Sequence, residues 1–303
     1  MKSKKVIPIF LAFDNNYASC AAVTIVSIVE NSKEYFSFYL LECCEEGISL
    51  NNKHHIESLK SKYSNFSIEW IYVNSAKQFN GFKTSSYISL ATYGRILIPT
   101  LKPNLDKVIY LDVDLIATGD VSKLYNCELG GYVIGAVYDD YNEDNNINSK
   151  LINNLACSTS HKYFNAGVLL IDVQKWNKLN ITQSIIQLEK EIRPNLVYAD
   201  QDLLNKYFDC NYQLLDPSFN VSHKRVRKYY QKWQLTNCII RHFVGHKKPW
   251  LIHPLKLECV KKDYIGKNLF WKYAMLTPFK FQLLSRFPLY SSIMKFFIRN
   301  NKV

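Results

Sequence analysis

No apolar run in this 303-residue sequence approaches the ~20 residues that a helix needs to cross a bilayer. Near the start, Val6–Phe13 is cut after eight residues by Asp14, Asn15 and Asn16, too soon for an export segment. The expectation is a soluble or peripheral protein on the cytoplasmic side of the membrane. None of the eight cysteines forms a Cys-x-x-Cys pair, and Cys43 and Cys44 are adjacent. This spacing argues against a zinc knuckle or a disulfide scaffold, so they are read as reduced, mostly buried thiols. There is no internal repeat. Glycine and lysine are missing between Phe13 and Tyr17. Acids are missing from Tyr264 to Val303, where seven Lys/Arg and ten aromatics occur instead. The net charge of +12 is therefore concentrated at one end, with nine Lys/Arg against one acid after Val260.

What is present is a chain with 48% hydrophobic residues, enough to bury a substantial core. Short apolar runs alternate with helical patterns. Val6–Phe13, Phe38–Leu41, Ile68–Val73, Lys107–Leu111, Gly135–Val137 and Val168–Ile171 read as strands. Tyr17–Glu30, Leu50–Tyr63, Ser89–Leu97 (stopping at Pro99) and Asp200–Phe208 read as helices, and Asp139–Asn148 as a loop. His54 and His55 are assigned to solvent. The alternation predicts an α/β fold with one doubly wound, mostly parallel sheet over residues 1–262, followed by a basic, aromatic helical appendage over 263–303.

Five segments carry candidate chemistry, and each has a bland alternative. Asp112-Val113-Asp114 leaves a buried strand, where paired carboxylates can hold a divalent ion, although acids at strand ends are common turn formers. Ala12, Asp14, Asn16 and Tyr17 close the first strand and could meet a nucleobase, or Asp14 could simply cap a helix. His242 ends an apolar strand, with Gly245 and Lys248 beyond it, and could complete a carboxylate–carboxylate–His site. Gly245 and Pro249 argue against a helical His242/His246 zinc pair. Asp200-Gln201-Asp202 opens a helix, and Asn165-Ala166-Gly167 permits close backbone approach before a strand.

Together, in this order, the segments resemble the retaining family 8 glycosyltransferases, which include bacterial lipooligosaccharide and lipopolysaccharide galactosyl- and glucosyltransferases and glycogenin. The resemblance runs from about Ile7 to Trp250 and includes Tyr93-Gly94-Arg95 and His242-x-x-Gly245-x-x-Lys248-Pro249-Trp250. It implies a GT-A type nucleotide-sugar-binding domain that transfers galactose or glucose from a UDP-sugar to a glycan or glycolipid. Asp112, Asp114 and His242 would ligate Mn²⁺ or Mg²⁺. Ala12, Asp14, Asn16 and Tyr17 would hold uracil and ribose, and Gly245 and Lys248 the phosphates. Arg95, Asn165, Ala166 and Asp200 would hold the sugar, with Val113 between the two metal-binding acids. Gln201 would lie beneath the anomeric carbon. A neutral amide there favours front-face attack over a double displacement, with Asp202 the second choice as nucleophile. Asp139 matches a position near the acceptor. Tyr87, where a lactose-accepting relative has histidine, leaves the acceptor open, and Asn15 replaces an acid next to the uracil site.

A nucleic-acid-binding protein would explain the charge and the basic–aromatic interleaving, but not an ordered acidic site, so no nucleic-acid partner is expected. A metal-dependent nucleotidyltransferase would need a glycine- and lysine-rich loop that Phe13–Tyr17 lacks. Part of the tail is expected to pack on the domain as a helix, but Phe279, Phe281, Phe287, Tyr290, Phe296 and Phe297 among Lys280, Arg286, Lys295 and Arg299 suggest contact with anionic lipid at the inner face of the cytoplasmic membrane.

Overall fold

The computed structural model describes residues 5–85, 88–140, 146–222, 237–246, 248–252 and 264–287. Tyr87 and the tail positions Tyr290, Lys295, Phe296, Phe297 and Arg299 lie outside them. The first half contains β1 (Val6–Phe13), α1 (Ala18–Glu30), β2 (Tyr35–Glu42), α2 (Leu50–Glu57), β3 (Phe66–Tyr72), α3 (Ser75–Gln78), α4 (Gly94–Leu101), β4 (Lys107–Leu111), β5 (Leu115–Ala117) and α5 (Ser122–Tyr125). Next come β6 (Ile134–Tyr138), α6 (Ile147–Asn154), β7 (Phe164–Asp172), α7 (Val173–Lys178), α8 (Ile181–Ile192), α9 (Asp200–Tyr207), β8 (Gln213–Leu214), β9 (Val221–Ser222) and β10 (Ile240–His242). Two further helices, α10 (Tyr264–Ala274) and α11 (Lys280–Leu284), close the described chain.

Seven strands form one sheet in the order β3-β2-β1-β4-β7-β6-β8. β1 to β4 run parallel, as their continuous apolar sequences require when both faces are covered. β7 is antiparallel to both its neighbours, β4 and β6. That reversal matters for the site. Leu111 pairs with Val168, so the first residues of β7 arrive at the edge where β1 and β4 end. A second sheet, β5-β10-β9, sets His242 opposite Leu115.

Several local expectations change. The helix expected to stop at Pro99 runs through it to Leu101, forgoing only the bond that proline cannot donate. Asp139–Asn148 is not wholly a loop, since α6 begins at Ile147. His54 is exposed, but His55 packs edge-on against Phe279 with ring centroids 5.1 Å apart. Among the described cysteines only Cys20 and Cys43 are buried, and Cys210 is exposed.

α1 is buried from Ala18 to Val29 because it is covered on both sides. Its outer cover is α10, tied on by Asn31 Nδ2 donating to Tyr273 OH at 2.7 Å. Phe270, Trp271, Phe279 and Leu283 join the same core as β1 and α1. Each buried side chain of this size contributes about 1.5–3 kcal/mol. Phe279 thus faces protein rather than lipid, Phe287 is half-buried, and Phe281 is exposed. Among the described residues no helix is long and apolar enough to cross a membrane.

Candidate active site

The cleft lies at the C-terminal edge of β1 and β4, where open α/β sheets place their ligands. Asp112 and Asp114 face it together from the bend between β4 and β5, and Val113 between them is largely buried. Backbone anchors hold this turn. Asp112 N–H donates to Gly167 O at 2.8 Å, and Thr24 Oγ1 donates to the carbonyls of Val113 and Leu115 at 3.2 and 2.8 Å.

Asp112 Oδ1 accepts from Arg95 Nη2 at 2.9 Å and from Tyr110 OH at 2.7 Å. His242 Nε2 lies 3.0 Å from Asp114 Oδ1 and 3.8 Å from Asp112 Oδ2. Lys248 Nζ donates to Asp114 Oδ2 and, at 2.7 Å, to Phe243 O. Burial alone would raise the Asp114 pKa, but Lys248 and His242 outweigh it and hold the carboxyl well below its ordinary range. Burial opposes the charge on Lys248, and Asp114 more than restores it.

The histidine tautomer follows from the hydrogen bonds around it. Gly167 N–H donates to Asn165 Oδ1 at 3.0 Å, which identifies that atom as the oxygen. Asn220 Nδ2 donates to the same oxygen at 2.9 Å, so Asn220 turns its own Oδ1 to His242 Nδ1, 2.9 Å away. Nδ1 therefore carries a proton, and Nε2 is the nitrogen that His242 turns to the two carboxylates, 3.0 Å from Asp114 Oδ1. One ligand atom each from Asp112, Asp114 and His242 lies within 4.8 Å of the others, so the residues fit a divalent ion. Space is tight here. A Cβ on Gly167 would sit 2.3 Å from His242 Cε1 and 2.6 Å from Asp112 Oδ2.

Arg95 is buried under the adjoining wall, with Nη1 donating to Ala166 O at 2.5 Å and its guanidinium 4.4 Å from the Tyr110 ring centroid. Its Nε–H is directed at Thr92 O, 2.9 Å away, while lying 3.0 Å from Asp200 Oδ2. Asp200 Oδ1 accepts from Thr92 Oγ1 at 2.5 Å, and Oδ2 is buried without a hydrogen-bond donor. Burial lifts the Asp200 pKa to about 6, with Arg95 partly opposing the rise.

Gln201 is fixed at both ends of its amide. Oε1 accepts from Ala166 N–H at 3.0 Å and Asn165 Nδ2 at 3.1 Å, and Nε2 donates to Asp139 Oδ2 at 2.9 Å. Asp14 caps the turn at Asn15–Tyr17, accepting from Asn16 N–H at 2.9 Å, and Tyr17 stands edge-on to Trp250 with centroids 6.1 Å apart.

The cleft, about 380 Å³, brings together most of the residues singled out in the sequence. Ala12, Asp14 and Tyr17 line it beside Asp112, Val113 and Asp114. Arg95, Asn165, Asp200 and Gln201 form another part of the wall, and His242, Gly245 and Lys248 complete it. Asn16, Ala166, Asp139 and Asp202 are not on its lining. Asp202 is fully buried behind it, one oxygen accepting from Tyr163 OH and the other from Val197 and Tyr198 N–H at 2.5 and 2.6 Å. Sequence reasoning missed Tyr110, Thr92 and Asn220. Tyr110 shares a strand face with Asp112, and Thr92 precedes Arg95 by one turn, so periodicity carried a signal for both. Nothing in the irregular stretch around Asn220 marks it.

The mostly parallel sheet with an acidic cleft at its edge is of the GT-A type, as superposition on solved structures shows. The chain belongs to glycosyl transferase family 8, whose pattern matches residues 8–253. A putative glycosyltransferase of Haemophilus influenzae is 31% identical over 254 residues, 83% of this chain and 75% of that protein. The lipopolysaccharide 1,2-glucosyltransferase of Escherichia coli is 27% identical over 251 residues, 78% of this chain and 71% of its own. Among solved structures, the galactosyltransferase LgtC in complex with donor and acceptor sugar analogs superposes with a TM-score of 0.73 at 26% identity, covering 90% of this chain and 96% of LgtC.

Proposed function

We propose that this family 8 glycosyltransferase is metal-dependent and moves a hexose, galactose or glucose, from a UDP-sugar to a cell-surface glycan or glycolipid with retention of configuration. The observation that carries the reading is the clustering of His242 Nε2 with the carboxylates of Asp112 and Asp114 beside Lys248. Bound by these three ligands, Mn²⁺ or Mg²⁺ would supply Lewis-acid neutralisation of the departing diphosphate.

The remaining roles are assigned to the chain's own groups. Lys248 shares the charge of the phosphates, and Gly245, at φ 81°, lets the backbone approach them. Ala12, Asp14, Asn16 and Tyr17 hold uracil and ribose at the end of β1. The free acceptor Asp200 Oδ2 takes a sugar hydroxyl, with Arg95 setting its position. Asn165 and Ala166 orient Gln201 beneath the sugar, and Asp139 anchors its amide nitrogen. A neutral amide there, with Asp202 enclosed behind the wall, favours front-face attack in which a phosphate oxygen of the leaving group accepts the acceptor's proton. Attachment to anionic lipid through residues 263–303 at the inner face of the membrane belongs to the same proposal, resting on the tail's composition.

Incubating the protein and Mn²⁺ with a panel of UDP-sugars, and measuring slow release of UDP, tests the reading. Turnover of UDP-galactose or UDP-glucose is expected. Release of UDP from neither, with Mn²⁺ or Mg²⁺, would contradict it.

A further inference from the structure

Among the described residues, two groups of side chains have the composition and spacing of a metal site, and the cleft accounts for one. The other brings together Cys157, His161 and Asp209, whose ligand atoms lie within 4.8 Å of one another. Cys157 and His161 stand in the turn between α6 and β7, and Asp209 follows the end of α9. We propose that this group, with Cys210 beside it, is a second metal site, selective for a thiophilic divalent ion such as Zn²⁺.

Hydrogen bonds fix which nitrogen of His161 faces the group. Asn205 Oδ1 accepts the Phe164 N–H at 2.8 Å, while Asn205 Nδ2 donates to the carbonyls of Phe164 and Gln201 at 2.9 and 2.8 Å. The amide orientation is thereby set, and His161 Nε2, 2.9 Å from that oxygen, must carry the proton. Nδ1 is therefore the acceptor of the ring, turned to the group and receiving the Cys210 N–H at 3.0 Å. Asp209 Oδ1, a buried atom that accepts no well-aligned hydrogen bond among the described residues, lies 3.5 Å from Nδ1, with the Cys210 thiol beside the carboxylate. The other oxygen of Asp209 is held by Ser158, through N–H at 2.7 Å and Oγ at 2.8 Å, so the carboxylate cannot turn freely away. A buried carboxylate oxygen without a well-aligned donor is costly unless a cation meets it. An ion bound at Nδ1 would replace the hydrogen bond from the Cys210 N–H.

The plan repeats that of the cleft, where His242 is also held by a buried asparagine oxygen at 2.9 Å on its outer nitrogen. The donor atoms differ. Thiolate, imidazole and carboxylate suit tetrahedral Zn²⁺, whereas Mg²⁺ and Mn²⁺ prefer oxygen. Each thiol that binds gives its proton to solvent. Cys210 is exposed, which leaves the site open to an ion from solution. Once bound, the ion would tie the turn at Cys157–His161 to the end of α9. Through Asn205 it would brace Phe164 and Gln201, the residues that carry the start of β7 and the floor of the cleft.

Co²⁺ titrated into the reduced full-length protein reads this site selectively, because the cleft ligands include no sulfur. A thiolate-to-Co²⁺ charge-transfer band is expected, saturating at about one equivalent, bleached by Zn²⁺ and retained in Asp114→Ala. Cys157→Ser should weaken Co²⁺ binding at least about tenfold. A wild-type protein without the thiolate band, or a band unchanged by Cys157→Ser, overturns the proposal.

Discussion

Asn220 Oδ1 accepts the Nδ1 proton of His242 at 2.9 Å, so a side chain outside the cleft lining decides which nitrogen of His242 faces Asp112 and Asp114. Removing that oxygen leaves Nδ1 without its partner and the ring without its orientation. Outer partners of metal-binding histidines typically account for about 10–100-fold in affinity. Asn220→Ala should therefore raise the Mn²⁺ dissociation constant by about that factor, measured from the free Mn²⁺ signal in electron paramagnetic resonance. Wild-type affinity in this variant would contradict the tautomer assignment.

Asp200 makes stability depend on pH in a definite direction. Its carboxyl moves from 3.8 in the unfolded chain to about 6 in the folded one. Between these values the folded protein keeps a proton that the unfolded chain releases, so this group's contribution falls as pH rises and the full penalty is present above pH ~6. The shift corresponds to about 3 kcal/mol. Asp200→Asn should therefore gain stability relative to wild type between pH 4 and pH 7, by up to about that amount, in urea unfolding. An equal difference at both pH values would rule out the raised pKa.

Gln201 separates the two routes to retention. Its carbonyl oxygen already accepts from Ala166 and Asn165, and its nitrogen already donates to Asp139. With only a dipole lost, Gln201→Ala should slow transfer without abolishing it, and mass spectrometry of the wild-type enzyme during turnover should find no glycosylated residue. A sugar adduct on Asp202 would reverse the mechanism.

The tail divides into a packed part and a basic end. Cutting at Lys262 would remove Phe270, Trp271 and Phe279 from the core and uncover α1, so this truncation should unfold at lower temperature. Cutting after Phe287 spares those contacts and removes Lys295, Arg299 and Lys302. At about 1 kcal/mol per basic residue near an anionic surface, the second truncation should bind anionic vesicles more weakly while keeping its melting temperature. Equal vesicle binding at low salt before and after this cut would remove the tail from any membrane role.

The sequence made the strands and the cleft legible for a simple reason. Strands such as Lys107–Leu111, buried on both faces, are continuous apolar runs, and their ends expose the polar residues that line the edge of the sheet. The reversal of β7 was not legible, because an apolar run does not state its direction. Asn220 was hidden for a related reason: its partner His242 is 22 positions away, and only the pairing of β9 with β10 brings the two segments together. In the tail, composition alone does not separate packed aromatics from exposed ones. Phe279 meets His55 on the protein itself, whereas Phe281 two positions on is exposed.

The most direct measurement is calorimetric titration of UDP into the wild-type protein with Mn²⁺, in excess EDTA, and into Asp114→Ala with Mn²⁺. The carboxylates and His242 are arranged to hold an ion that would join the diphosphate to the cleft. The expected result is clear binding to wild type with Mn²⁺, weakened at least about tenfold by EDTA and by Asp114→Ala, with the circular dichroism of the variant unchanged. UDP binding of equal strength with Mn²⁺ and in EDTA would contradict a metal-dependent nucleotide-sugar site.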